Sequence, residues 1–242
     1  MRQTPMHAQS RRSGTCQALS LFGLAAALML LSQAAHAHAV TLGDKGYIQE
    51  TTGTHLIPFL YLGAKHMVTG YDHILFLLGV IFFLYGMKQI STYVSLFAIG
   101  HSTTMLAGVY FDIGINSYIV DAIIGFSVAY KALDNLGAFR VWFGVQPSTK
   151  AATLIFGFLH GFGLASKIID YDISPDGLVP NLLAFNLGVE IGQLLALAAI
   201  LVVITRWRAS PSFARQAYAT NALMMTAGFA LMGFQIAGFL VA

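Results

Sequence analysis

The chain has 242 residues, of which 57% are hydrophobic and 10% are charged, and its mean hydropathy is +0.70. Soluble globular proteins carry about 25% charged residues, so this composition excludes most soluble enzymes and most nucleic-acid-binding proteins. Three of the 13 basic residues, Arg2, Arg11 and Arg12, lie at the start of the chain, which leaves 10 basic residues against 10 acidic ones. The excess positive charge therefore belongs to a basic leader and does not indicate an anionic partner.

The first 37 residues are typical of a cleaved secretory signal peptide. A basic pair, Arg11 and Arg12, precedes a small and apolar run at 18–31, and a small-x-small cleavage site follows at 35–37. The apolar run is shorter than the ~20 residues that a helical span requires, although an uncleaved first span is the alternative. Cleavage would also remove Cys16, the single cysteine, so the mature protein is expected to lack disulfides and thiolate ligands.

The rest of the chain is divided by its apolar stretches. Residues 38–69 are expected to form a short periplasmic segment with an interfacial helix, because the apolar part at 55–64 is brief and contains Pro58. Residues 70–242 are expected to form a single transmembrane domain, so the sequence predicts an all-α integral membrane protein, a six-transmembrane-helix bundle. The stretches that approach the ~20 residues of a span are 70–86, 91–110, 117–136, 151–169, 180–205 and 217–241.

The basic residues of the connectors predict the orientation of this bundle. The first, third and fifth connectors carry positive charge, whereas the second and fourth are neutral or acidic. Positive connectors are expected to face the cytoplasm, which places both mature termini in the periplasm, as a cleaved signal requires. We therefore expect a multi-pass protein of the bacterial inner membrane. The basic residues concerned are Lys88, Arg140, Lys150, Arg206, Arg208 and Arg215.

Three ionisable residues lie near the middle of predicted spans. His101 and His160 are about 15 Å and about 14 Å into spans two and four, and Glu190 is about 15 Å into span five, at 1.5 Å per residue. An ionisable group inside a span costs ~2.5–3.5 kcal/mol even on the lenient insertion scale, so it indicates a function by default. Their common depth predicts that these three side chains share one metal site.

A second group of candidate metal ligands lies at the predicted outer mouth. His66, Asp72 and His73 form an H-x5-D-H pattern, and two imidazoles with one carboxylate suit Ni²⁺, Co²⁺ or Zn²⁺. On a straight helix His66 and His73 would be ~10 Å apart, but Gly70 offers a break that could bring them together. His38 is a further candidate ligand if signal cleavage exposes its amino group. The alternative is that all these groups are ordinary polar residues at the interface.

Small residues predict where the helices approach each other. Gly157 and Gly161 flank His160, and Gly188 and Gly192 flank Glu190, so small-x3-small packing is expected to join spans four and five. Five polar residues are candidates to line a path or to hydrogen-bond the ligands, although ordinary interhelical hydrogen bonding is the alternative. They are Ser102, Thr103, Asp121, Asn186 and Gln193.

Four motifs resemble the HupE/UreJ family of hydrogenase and urease accessory membrane proteins, whose characterised members are nickel permeases. They are GYDHILFLL at 70–78, GHST at 100–103, FGFLHGFG at 156–163 and FNLGVEIGQ at 185–193. The resemblance covers nearly the whole mature chain and implies a cleaved signal, six spans and metal handling by H-x5-D-H. In the nickel-permease branch an acid follows the intramembrane His-Gly by seven residues from the His. Here that residue is Lys167, and Glu190 on another span is expected to supply the acid.

The expected function is a secondary permease or facilitator for a divalent transition metal, without an organic cofactor and without catalysis. Ni²⁺ is the expected substrate, with Co²⁺, Zn²⁺ and Cu²⁺ as alternatives, and the expected partners are the lipid bilayer and cytoplasmic metallochaperones of hydrogenase or urease. The chain has no P-loop, so a membrane potential or ion gradient would drive uptake. Two other hypotheses remain: an intramembrane metalloenzyme, and a periplasm-facing metal chaperone or assembly factor that uses His38, His55 and His66.

Overall fold

The structure is a computed structural model that describes residues 42–169 and 174–242. The predicted signal peptide, its cleavage site and His38 lie outside the described residues. Within these two ranges the regular elements are all helices and no strand is present. We label the helices α1 (Leu42–Glu50), α2 (Leu56–Thr69), α3 (Tyr71–Ile81), α4 (Met87–Tyr110), α5 (Ser117–Asn135), α6 (Ala138–Phe143), α7 (Thr149–Ile169), α8 (Leu178–Arg208) and α9 (Phe213–Val241).

Three of these helices are long and apolar enough to cross a membrane. They are α7, α8 and α9, with 21, 31 and 29 residues. Helix α3 is also apolar but has only 11 residues, so it is too short to span a bilayer by itself. This composition agrees with a membrane protein, and α4 and α5 coincide with two further predicted spans.

The helices form three closely packed pairs, α2 with α8, α4 with α7, and α5 with α9. An added Cβ at Gly63 or Gly188 would collide with backbone across the α2/α8 contact, at Phe185 and Leu60 respectively. Glycines remove the side chain at such a contact, and the two helix backbones then lie against each other. Gly228 makes an equivalent close contact in the α5/α9 pair.

The glycine motifs do not join the spans that the sequence led us to expect. Gly157 and Gly161 of α7 face the backbone of α4, whereas Gly188 and Gly192 of α8 face α2. The predicted contact between spans four and five through these glycines is therefore wrong. Small-x3-small spacing shows that a helix has a close partner, but it does not identify the partner.

Helices α2 and α3 run together beside α8 as one discontinuous segment. At one end the His55 N–H donates to Asn181 Oδ1 at 2.7 Å, and at the other Arg208 Nη2 donates to Phe82 O at 2.7 Å. Both contacts join residues that are 126 positions apart, so the segment keeps a constant parallel register along α8. The break between its two halves is at Gly70, whose backbone is extended with φ −72° and ψ 99°.

This packing differs from the interfacial helix that we expected at 55–64. Helix α2 buries Phe59, Leu62 and Met67 and lies lengthwise against α8. Pro58 does not interrupt α2 because it lies in the first turn, where the backbone N–H has no partner within the helix. The apolar segment therefore includes both α2, before Gly70, and α3, after it.

Candidate metal centre

The break at Gly70 brings together side chains from both halves of the discontinuous segment. His66 lies in the last turn of α2, and Asp72 and His73 lie in the first turn of α3. An added Cβ at Gly70 would be 2.6 Å from His73 Nδ1 and 3.1 Å from Asp72 Oδ1, so a larger residue does not fit between them. Glycine thus permits both the turn and the close approach of the ligand side chains.

Three histidines at this break form a buried cluster. Nitrogen atoms of His66, His73 and His101 all lie within 4.8 Å of one another. Their exposed fractions are 6%, 0% and 1%, respectively. His101 comes from α4, so the cluster joins the discontinuous segment to the α4/α7 pair. We call His66, His73, His101 and the adjacent His160 the imidazole cluster.

His73 lies at the centre of the imidazole cluster. Its ring centroid is 5.1 Å from that of His66, 5.8 Å from that of His101 and 5.2 Å from that of His160. His160 is fully buried and extends from α7. The histidines of the two predicted groups, one at the outer mouth and one at the middle of the spans, therefore form a single cluster.

Hydrogen bonds orient two of these rings. Asp72 Oδ1 is 3.1 Å from His73 Nδ1 and also accepts the His73 backbone N–H at 2.9 Å. His160 Nδ1 is 2.7 Å from the carbonyl oxygen of Phe156, one helical turn earlier. When Nδ1 carries the proton and donates it, Nε2 keeps a lone pair for a metal. Asp72 is thereby placed to orient a histidine, an arrangement that is common around metal sites.

Aromatic side chains enclose the imidazole cluster. The ring of Phe97 lies 5.1 Å from that of His160 and 6.0 Å from that of His101, and the ring of Phe76 lies 5.4 Å from that of His160. Both phenylalanines are 1% exposed. Such an apolar shell limits the access of water and strengthens the electrostatic interactions inside it. Imidazole nitrogens in this environment are suited to hold Ni²⁺, Co²⁺, Cu²⁺ or Zn²⁺.

A family model described as "HupE / UreJ protein" matches residues 42–242, which is most of the chain. The chain belongs to the HupE/UreJ family. This family is linked to the uptake of nickel and other metals for hydrogenase or urease, and it is a transporter or accessory family. No curated protein and no solved structure matches the chain.

In this HupE/UreJ protein Glu190 does not join the imidazole cluster. Its side chain is exposed, and it is absent from the group of described side chains that are close enough to hold one metal, so the predicted convergence of Glu190 with His101 and His160 is wrong. Gly188 and Gly192 face α2, and Glu190 is two residues from each of them. Two residues correspond to about 200° around a helix, which turns the carboxylate away from this contact.

Two of the remaining predicted residues form contacts away from the imidazole cluster. Asp121 Oδ2 accepts a hydrogen bond from Lys167 Nζ at 2.7 Å, which ties α5 to α7. Lys167 is the residue seven positions after His160, where the sequence analysis compared it with an acid. Its ammonium group is thus paired with a carboxylate from another helix. Thr103 Oγ1 donates to Ile99 O within α4 at 2.7 Å.

The other three predicted polar residues lie near the contact between α4 and α8. Gln193 Nε2 donates to Val94 O at 3.3 Å, which connects the two helices directly. Asn186 and Ser102 have buried side-chain oxygen atoms.

Sequence reasoning missed the aromatic shell and the carbonyl of Phe156. Phe156 precedes His160 by one helical turn, and Phe97 precedes His101 by the same interval. This i, i+4 spacing puts each pair on one helix face, so the sequence alone predicts that each histidine has an aromatic neighbour. The contacts of Phe76 with rings from other helices depend on tertiary packing, so no spacing in the sequence predicts them.

Proposed function

We propose that the protein is a secondary permease that carries a divalent transition-metal ion, with Ni²⁺ as its substrate, across the inner membrane. The observation that carries this proposal is the buried set of His66, His73 and His101, whose nitrogen atoms lie within 4.8 Å of one another. Four-coordinate metal sites in proteins commonly use three histidines, and His160 adjoins them as a fourth candidate ligand. The metal is the substrate here.

We further propose six membrane crossings, the first of which is the discontinuous segment. Residues 56–81 comprise α2, Gly70 and α3, and would extend about 39 Å if fully helical, which is enough to cross a bilayer. The other crossings are α4, α5, α7, α8 and α9. In many transporters the substrate binds near the membrane midplane, at the interruption of a broken helix. The imidazole cluster lies at the break at Gly70, which supports its role as the substrate site.

The energy for uptake would come from the membrane potential. Moving one charge through 100 mV yields ~2.3 kcal/mol, so a dication gains ~4.6 kcal/mol. We propose that the basic connectors face the cytoplasm, and that the ion enters from the periplasm and passes to metallochaperones of hydrogenase or urease. This direction agrees with the sign of the potential.

Uptake by purified protein in liposomes tests the proposal. We expect the wild type to accumulate Ni²⁺ when an inside-negative potential is applied, and the His73→Ala variant to lose both uptake and metal retention. His55→Ala is the matched control, because His55 is exposed and its Nε2 lies 3.1 Å from Thr52 O, away from the imidazole cluster.

The outcomes separate the competing functions. A wild type that neither retains nor transports any divalent metal contradicts the proposal. Retention without uptake would instead favour an accessory metal chaperone. A panel of Ni²⁺, Co²⁺, Zn²⁺ and Cu²⁺ would identify the substrate, since geometry and ligand type discriminate among these ions.

A further inference from the structure

The contact between α4 and α8 has a definite antiparallel register. Gln193 Nε2 donates to Val94 O at 3.3 Å, and farther along the same contact Leu106 and Leu182 line one groove of about 370 Å³. His101 lies seven residues after Val94 on α4, and Asn186 lies seven residues before Gln193 on α8. Both are therefore two helical turns from the first contact. Seven residues preserve the helix face, so the register places Asn186 level with His101 and facing α4. Glu190 lies between Asn186 and Gln193 on the same side of α8, and its side chain is exposed at the edge of this contact.

Two oxygen atoms at this level are buried without a hydrogen bond. Asn186 is 9% exposed, and its Oδ1 contacts no donor within the described part of the chain. The same holds for the hydroxyl of Ser102, the residue after His101. A buried polar atom without a partner costs about 1–3 kcal/mol, so each exception needs an explanation.

Neighbouring polar residues on the same two helices do have partners. Thr104 Oγ1 donates to Phe158 O at 2.7 Å, and Gln193 donates to Val94 O. Asn186 lies one turn from Leu182, and Ser102 lies one turn from Leu106, so both oxygens stand where the groove ends. Both oxygens therefore lie at the end of the groove that is nearer the imidazole cluster.

We propose that Ser102 and Asn186 form an oxygen-donor step on the metal's route to the imidazole cluster. A hydrated divalent cation would exchange some of its water for the amide oxygen of Asn186 and the hydroxyl oxygen of Ser102 before it binds the histidines. Neutral oxygens suit this exchange because they resemble water as ligands and release the ion readily to imidazole. The inference rests on the proposed function, since it requires that the imidazole cluster binds a metal.

The rate of metal loading tests this step. Purified protein is mixed rapidly with Co²⁺, and the visible absorption of the bound ion reports association and dissociation. For Asn186→Leu and Ser102→Ala we expect both rate constants to fall about tenfold, while the Kd and the number of bound ions stay unchanged. Asn186→Asp retains an oxygen donor and should load at least as fast as the wild type.

Ser91→Ala is the matched control for Ser102→Ala. Ser91 is on the same helix, about 16 Å away, and its hydroxyl donates to Lys88 O. This control should load at the wild-type rate. A raised Kd or a lost metal ion in the Asn186 and Ser102 variants would mean that these residues are ligands or structural supports, and would overturn the step.

The test also distinguishes this inference from the function on which it rests. If the wild type binds Co²⁺ and the two variants load at the wild-type rate, only the oxygen-donor step is wrong. If the wild type retains no metal, the proposed function and the step are both wrong.

Discussion

Asp72 has a different role in the structure from the one that the sequence motif predicts. The H-x5-D-H pattern suggested a carboxylate ligand, whereas the structure places Asp72 Oδ1 3.1 Å from His73 Nδ1. From this position the carboxylate orients the central ring and increases its basicity. Its effect on a bound metal would then be transmitted through His73.

The Asp72→Asn variant is expected to weaken metal binding without abolishing it. Loss of a carboxylate that supports a histidine ligand typically reduces metal affinity ~10–100-fold. The concentration for half-maximal uptake should rise by a similar factor, while the rate at saturating metal should change little. Isothermal titration with Ni²⁺ and liposome uptake measure the two quantities.

Glu190→Gln provides the comparison, because the Glu190 side chain is exposed and lies outside the imidazole cluster. Removal of this negative charge should leave the affinity for Ni²⁺ unchanged. If Glu190→Gln weakened metal binding as much as Asp72→Asn, the placement of both carboxylates relative to the imidazole cluster would be contradicted.

At the scale of the helices, the imidazole cluster depends on the close packing of α2 against α8. Gly188 contacts the backbone at Leu60, and the constant register carries α2 inward to Gly70. At the other end of the discontinuous segment, Arg208 Nη2 donates to the carbonyl oxygens of Ile81 and Phe82 at the end of α3. Helix α2 thus packs along α8, and the end of α3 is hydrogen-bonded to the end of the same helix.

A single added methyl group at this contact should destabilise the protein. In Gly188→Ala the new Cβ would collide with Leu60 O, and overpacking of this kind typically costs ~1–3 kcal/mol. We expect a lower thermal midpoint in detergent and weaker Ni²⁺ retention, because α2 carries His66. Gly233→Ala on α9 is the control, since its Cβ would meet no atom within 4 Å in the described structure. Equal stability of the two variants would contradict the close α2/α8 contact.

At the scale of the whole molecule, six of the described helices form the pairs α2/α8, α4/α7 and α5/α9, and the imidazole cluster lies between the first two pairs. The α2/α8 and α4/α7 pairs each have glycine-mediated backbone contact, whereas α4 and α8 meet through Gln193 and an open groove. This contact is therefore the less tightly packed boundary of the site. It is the boundary at which the proposed oxygen-donor step lies.

The orientation of the whole bundle can be tested with reporters. The basic connectors predict that Ala242 faces the periplasm and that Ser210, in the connector of Arg206, Arg208 and Arg215, faces the cytoplasm. Alkaline phosphatase, which is active only outside the cytoplasm, should be active when fused at Ala242 and inactive when fused after Ser210. The reverse pattern would contradict both the predicted topology and the proposed direction of transport.

Much of the candidate site could be identified from the sequence, because an ionisable residue in an apolar stretch is recognisable by composition alone. His66, Asp72, His73, His101 and His160 were each singled out in this way, and Gly70 was recognised as a break. Their grouping was less certain, since depth along a helix gives no information on the direction in which a side chain points. Glu190 has the expected depth, but its side chain is exposed and lies outside the imidazole cluster.

The sequence by itself determined the helical class, the HupE/UreJ family and the candidate ligands, because local hydropathy and short motifs contain that information. Only the tertiary structure decided that α2 is the first half of a broken segment along α8, and that the two sets of histidines form one imidazole cluster. It also decided which helices the glycines join. The physical reason is that small-x3-small spacing permits close approach to any suitable helix, and the partner is selected by the simultaneous packing of all the helices.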